Sequence, residues 1–217
     1  MTRFRKRQLA GAIVAALSVL PGVAAAQAPD VAPETIPAIP PPAPEATAAL
    51  AAGGAQPSPE AQLDTLLAEL AEPGRDDWEQ IEGKINALWS RSGSPAMDLL
   101  LKRGSDAIEA EDYPTAVEHL SALVELAPDF AEGWNARATA FFLMDEYSLS
   151  MADVEHVLAL EPRHFGALSG LAFMFEAMDE PTQALAAFRA VHALNPNRPN
   201  INEAITRLER ITGEAEL

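Results

Sequence analysis

The chain contains no cysteine. A disulfide framework, a thiol nucleophile and a cysteine-ligated metal are therefore excluded. Basic residues are scarce: 15 Lys and Arg face 32 Asp and Glu, for a net charge of −17. A surface of that sign repels phosphate backbones, so no nucleic acid is expected as partner. No Gly-x-Ser-x-Gly, phosphate-cradling Gly-rich loop or calcium-loop pattern occurs. The four histidines, His119, His156, His164 and His192, never fall at the i, i+4 spacing of a helical zinc pair, and they read as surface or half-buried side chains. No catalytic residue, metal site or cofactor is expected. Long apolar runs are missing too. Leu9 to Leu20 covers twelve residues, whereas a membrane-spanning helix needs roughly 20.

That short run has a context. Arg3, Arg5, Lys6 and Arg7 precede it, Pro21-Gly22 breaks it, and Ala24-Ala25-Ala26 offers small residues before Gln27. Residues 1–26 read as an export signal, with an uncleaved anchor as the alternative. No membrane association is expected once it is cleaved. Loss of those four basic residues, with no acidic one, would move the charge from −17 to −21. Residues 27–59 hold nine of the eighteen prolines and no aromatic residue. Such a stretch cannot bury enough apolar surface to offset chain entropy, so a disordered Pro/Ala-rich linker is expected. The implied location is the periplasm, or secretion beyond it.

Apolar residues make up 48% of the chain, enough for a sizeable core. In residues 60–94 Leu63, Leu66, Leu67 and Leu70 recur at helical spacing, and Pro73-Gly74 interrupts them. Asp76 is placed to cap a second helix whose stripe is Trp78, Ile81, Ile85, Leu88 and Trp89. A degenerate helical pair at the end of an array fits this pattern.

The strongest signal lies further on. Pro128, Pro162 and Pro196 are 34 residues apart. Leu126, Leu160 and Leu194 keep that period, as do Leu123, Val157 and Val191, and Leu120, Val154 and Phe188. Three units follow, 97–130, 131–164 and 165–198. Their turns read Glu111-Asp112-Tyr113, Asp145-Glu146-Tyr147 and Asp179-Glu180-Pro181. Asp tolerates the left-handed backbone such a turn can need, and Glu111 is less comfortable there. Solvated loop edges explain these acidic pairs better than acid–base chemistry. Gly104, Ala138 and Ala172 are small where two helices should cross. Trp134 is expected at the centre of the array. Residues 199–217 supply a capping helix striped by Ile201, Ile205, Leu208 and Ile211, then an acidic tail.

These units resemble the tetratricopeptide repeat family. The matching residues are Leu100, Gly104, Ala107, Ala116, Leu120 and Pro128 in the first, Trp134, Ala138, Phe141 and Pro162 in the second, and Leu168, Ala172, Phe175, Ala184, Phe188 and Pro196 in the third. Ser150 departs from the family's small Ala, and the turn Gly is acidic in all three units. The resemblance implies an all-α solenoid of antiparallel helix pairs, closed by the C-terminal capping helix. It also implies that the first helix of each pair lines an inner groove. The corresponding positions are Leu101, Ser105 and Ile108, then Asn135, Thr139 and Phe142, then Ser169, Phe173 and Glu176, with Asp98 and Glu132 at the edge. Leu101, Ile108 and Phe142 have an alternative role as packing against the next repeat. The family's carboxylate-gripping grooves use Lys, Arg and Asn at such positions, and here only Asn135 matches. The expected occupant is a peptide or helix of a protein partner with apolar anchors and some basic residues. The expected function is a non-enzymatic protein-interaction module of the cell envelope. The alternative is a structural, self-associating subunit of an envelope assembly, using exposed stripes at Trp78 and Trp89.

Overall fold

The computed structural model describes residues 57–213. The expected export signal, nearly all of the expected linker and the last residues of the acidic tail lie outside the described residues. Within them the chain forms helices joined by short turns, in the order α1 (Pro59–Leu70), α2 (Trp78–Trp89), α3 (Pro95–Glu109), α4 (Tyr113–Leu126), α5 (Ala131–Leu143), α6 (Tyr147–Leu160), α7 (Phe165–Ala177), α8 (Pro181–Leu194) and α9 (Pro199–Thr212). The pairs α3–α4, α5–α6 and α7–α8 are the three 34-residue units, and α9 packs on α8 as the cap.

Proline starts many of these helices. Pro59, Pro95, Pro114, Pro181 and Pro199 all sit in a first turn, where the missing N–H is one that no helix bond would use. The turn inside each unit is set by backbone sign. Glu111, Asp145 and Asp179 have φ of 60°, 68° and 61°. Each places the next residue's N–H on a carbonyl five residues back: Asp112 to Ala107, Glu146 to Phe141 and Glu180 to Phe175, all at 2.9 Å. This reverse-turn closure satisfies the end of the first helix and aims the second antiparallel to it. The carboxylates settle locally. Asp112 accepts from the Thr115 N–H, and Asp145 accepts from the Tyr147 hydroxyl at 2.8 Å. Burial, and then that bond to Asp145, pushes the Tyr147 hydroxyl up to about 12.

The core follows the period. Leu120, Leu123, Val154, Val157, Phe188 and Val191 are all buried. Gly104 explains how closely two helices meet: a Cβ built there would lie 2.4 Å from Leu120 Cγ. Ala138 and Ala172, one and two periods on, are buried as well. Ser150 is tolerated because its buried hydroxyl donates to the Ala138 carbonyl at 2.7 Å. Arg137 adds a polar tie. It grips the buried Asp153 through two bonds of 2.8 Å and reaches the Ser121 hydroxyl at 3.2 Å, joining three helices.

Several expectations change. Trp134 is half-buried at the margin of the array. Its indole N–H donates to the Pro128 carbonyl at 2.8 Å, and its ring stacks on His156. The fully buried aromatics are Phe165 and Phe188 instead. Asp77, not Asp76, precedes α2, and its carboxylate is held by Arg75 at 2.9 Å rather than capping the helix. Leu126 and Leu160 keep the period yet face solvent, whereas Leu194 is covered. Ile211 is exposed on α9, and Ala204 takes its place in the buried stripe with Ile201 and Leu208.

The 57–94 segment departs most. Its two helices pair through Leu67, Leu70, Ile81 and Ile85. The apolar face they share closes on Phe165, at the start of α7, and on Leu194, at the end of α8. The hairpin therefore reaches past the first unit and docks on the far end of the array. Trp78 and Trp89, expected as exposed stripes, are half-buried in that contact.

Gly104→Ala should lower unfolding free energy by about 1–3 kcal/mol in urea titration, because Leu120 must move. Gly83→Ala, on the exposed face of α2 with nothing within 4 Å of its would-be Cβ, should raise it by about 0.5–1 kcal/mol.

Candidate functional site

The three first helices α3, α5 and α7 lie side by side, and the expected groove residues lie on them. All seven principal positions, Leu101, Ser105, Asn135, Thr139, Phe142, Ser169 and Phe173, are buried, none more than 9% exposed. Leu101 and Ile108 belong to one apolar cluster with Ala136 and Ala140 of the next unit's first helix. They serve the packing role weighed above. Phe173 sets its ring edge-on to Phe188 at 5.3 Å, and Phe142 tilts against Tyr147 at 5.9 Å. The polar members are turned inward. Ser105, Thr139 and Ser169 each donate to the carbonyl four residues back, at 2.9, 3.0 and 2.7 Å. Glu176 is partly exposed and paired with Arg207 of the cap. Asp98 does not face a partner either. Its carboxylate accepts from the Ser92 N–H and hydroxyl, at 2.8 and 2.6 Å, and pins the loop that leads out of α2.

Asn135 opens onto the most polar part of the molecule. Its amide donates to Glu132 Oε1 at 3.1 Å, and Glu132 Oε2 meets His164 Nε2 at 3.0 Å. His164 Nδ1 accepts from the Ala167 N–H at 3.1 Å, so the ring proton sits on Nε2 and points at the carboxylate. His164 is thus buried, contrary to the expectation for the histidines. Its ring stacks on Trp89 of the hairpin, with centroids 4.2 Å apart and planes 14° from parallel.

One period later, Arg198 occupies the place that His164 has in the preceding unit. It too is buried and faces α2. One guanidinium nitrogen lies 3.6 Å from Glu82 and 3.5 Å from the Ser169 hydroxyl, both longer than a good hydrogen bond. Asn195 donates to Glu82 at 2.9 Å. The side-chain amide of Asn197 grips the backbone at and just beyond the end of α1. It accepts from the Gly74 and Arg75 N–H groups and donates to the Leu70 and Glu72 carbonyls. Arg163 meets Asp64 at 2.7 Å. The inter-repeat turns at 161–164 and 195–198 thus form a rim beside Asn135 and Ser169, and the hairpin is seated on it. Two buried donors in this contact have no partner among the described residues, Trp89 Nε1 and Arg198 Nε. Each such group costs roughly 1–3 kcal/mol.

Over 158 residues, 72% of this chain and 78% of the relative, the sequence is 38% identical to a TPR repeat-containing protein of Rhizobium etli. The chain belongs to the tetratricopeptide repeat family. A second tetratricopeptide relative is the small glutamine-rich tetratricopeptide repeat-containing protein 2 of Saccharomyces cerevisiae, 29% identical over 61% of this chain and 38% of its own length. Family profiles return no match. Solved tetratricopeptide structures share the fold. The first TPR of Spaghetti (RPAP3), bound to the HSP90 peptide SRMEEVD, aligns with TM-score 0.53 at 18% identity, over 55% of this chain and 95% of that one. The Sgt2 TPR domain of Aspergillus fumigatus aligns with TM-score 0.52 at 20% identity, over 56% and 82%. A further solved structure, that of the MamA protein, aligns with TM-score 0.51 at 19% identity, over 70% of this chain and 84% of that one.

Sequence periodicity placed the tetratricopeptide helices, but it missed Glu82, Trp89, His164, Asn195, Asn197 and Arg198 as one cluster. The available signal was positional. His164 and Arg198 each close a repeat, so two large polar side chains had to emerge one unit apart on the same rim.

Glu82 offers a measurable test of the rim. Burial raises its carboxyl above the ordinary 4.5, against the opposing pull of Arg198 and the Asn195 bond. A carboxyl raised in the folded state contributes stability below its ordinary value and loses it as pH rises through the folded value. The melting temperature of the natural chain should therefore fall relative to Glu82→Gln as pH rises above the carboxyl's ordinary value of 4.5. Thermal melts that move in parallel over that rise would show that Glu82 is not held in the contact.

Proposed function

We propose that this tetratricopeptide array is a non-enzymatic protein-interaction module of the cell envelope, holding a peptide or helix of a partner on its inner face. The observation that carries it is the side-by-side placement of α3, α5 and α7 in a chain of this family. Solved arrays of the same fold hold peptides: that of Spaghetti is bound to the HSP90 peptide SRMEEVD, and one of yeast Sti1 is in a complex with pHsp70. The proposed contact residues are Ser105, Asn135, Thr139, Phe142, Ser169 and Phe173, with Leu101 packed beneath them between the first two units. The partner is a protein or peptide with apolar anchors, and basic residues on it would meet the chain's net charge of −17. Placement in the periplasm, or beyond it, rests on the pattern of residues 1–26.

Self-association, the alternative, loses its original support. Trp78 and Trp89 are engaged within the chain, although Leu126 and Leu160 remain as exposed apolar residues one period apart.

Capture from an envelope extract should retain a defined partner on the natural chain. It should weaken roughly tenfold on an Asn135→Ala, Thr139→Val double variant that melts as a folded protein. Equal recovery of the same proteins by both would place the binding surface elsewhere. Intact-mass measurement of the chain from its native host should begin at Gln27. A chain that starts at Met1 and stays in the cytosolic fraction would overturn the envelope assignment.

A further inference from the structure

The rim formed by the turns 161–164 and 195–198 is a helix-receiving surface in its own right. It adjoins the interior positions of α5 and α7, through Glu132 to Asn135 and through Arg198 to Ser169, but its side chains come from the turns and not from the first helices' inner face. Its floor is apolar, with Phe165 and Leu194 against the hairpin. Its polar edge carries Arg163, His164, Asn195 and Arg198, in a chain with only 15 Lys and Arg. Two of those arginines meet carboxylates of the hairpin, Asp64 and Glu82. On α2 the anchors are Glu82 and Trp89, seven residues and so two turns apart on one side of the helix. Trp89 covers His164 and Phe165, and Glu82 faces Arg198 and Asn195.

The fit is incomplete. Among the described residues the indole N–H of Trp89 has no acceptor and the Arg198 Nε has none, and the Arg198–Glu82 approach is 3.6 Å. The two buried side-chain donors left unpartnered among the described residues both lie in this contact, and Arg198 is 8% exposed. The hairpin is joined to α3 through Ser90 to Ser94, with Gly93 at φ +80°. That segment places no side chain in either of the larger repeat cores.

We propose that this rim is a second docking surface, kept filled by the chain's own α1–α2 hairpin, and that its external partner is an acidic helix carrying an aromatic residue two turns after a carboxylate. Such a helix presents the anchors of α2. It gains where α2 falls short, by bringing its carboxylate into full contact with the Arg198 guanidinium. Its charge is opposite to that of the basic partner expected on the inner face, so the two surfaces select different ligands.

The test uses the full chain and a synthetic, fluorescently labelled hairpin peptide of residues 57–92, followed by anisotropy. Trp89→Ala in the chain weakens its own clasp, and the peptide should then bind roughly tenfold tighter than to the natural chain. If that variant loses its helical circular-dichroism signal, Glu82→Lys takes its place, since it sets a positive charge against Arg198 on a partly exposed position. A peptide that itself carries Glu82→Gln and Trp89→Ala should lose roughly tenfold or more. Equal binding to natural and opened chains, or indifference to the two peptide substitutions, overturns the proposal. Light scattering supplies a further outcome: a dimer of the natural chain that disappears in the Trp89→Ala chain makes the occupant a second copy, and overturns the external partner. Extract capture that depends on Asn135 and Thr139 while the peptide never binds would sink this inference and leave the inner-face function standing.

Discussion

Everything in the array depends on how near the two helices of a unit can come. Leu120 reaches the facing helix because Gly104 offers it no side chain, and a single added carbon would fall inside van der Waals contact. Val154 and Phe188 are buried at the equivalent positions, beyond Ala138 and Ala172. Close crossing lets each unit bury one flank inside itself and the other against its neighbour, which is where hydrophobic stabilisation at about 25 cal/mol per Å² accumulates. The left-handed turns at Glu111, Asp145 and Asp179 serve the same end, because they bring the second helix back at the right angle.

Much of this was legible in the sequence because it repeats. A constraint that recurs every 34 residues leaves three independent traces, and the buried sets Leu123, Val157, Val191 and Leu120, Val154, Phe188 can be read from them. The turn residues were legible from the same period; backbone preference favoured Asp145 and Asp179 but not Glu111, which takes the left-handed conformation all the same. Where periodicity and burial part company the reading failed. Leu126 and Leu160 repeat but face solvent, and Trp134 holds the signature position while settling half-exposed against Pro128 and His156. A family signature records which residue types suit a position; depth is set by the neighbours, and these differ between units.

The rim was not legible for a different reason. Glu82 meets Asn195, and Gly74 meets Asn197, across more than a hundred residues of chain. Asparagine and arginine in turns carry no amphipathic pattern, so nothing in the local sequence says what they will grip. The same limit applies to the inner face. Ser105, Thr139 and Ser169 look like donors awaiting a ligand, but each spends its hydroxyl on its own helix.

The bond between Asp64 and Arg163, together with those from Asn197 to the end of α1, has a topological result. Stacked units in an open row behave almost one-dimensionally, and either extremity can melt without consulting the other. Here α1 and α2 are tied to the turns that close the second and third units, so the hairpin is held by residues about a hundred positions away as well as by the loop that joins it to α3. Contacts of that span raise contact order and slow assembly, because the hairpin can seat only after the second and third units have formed.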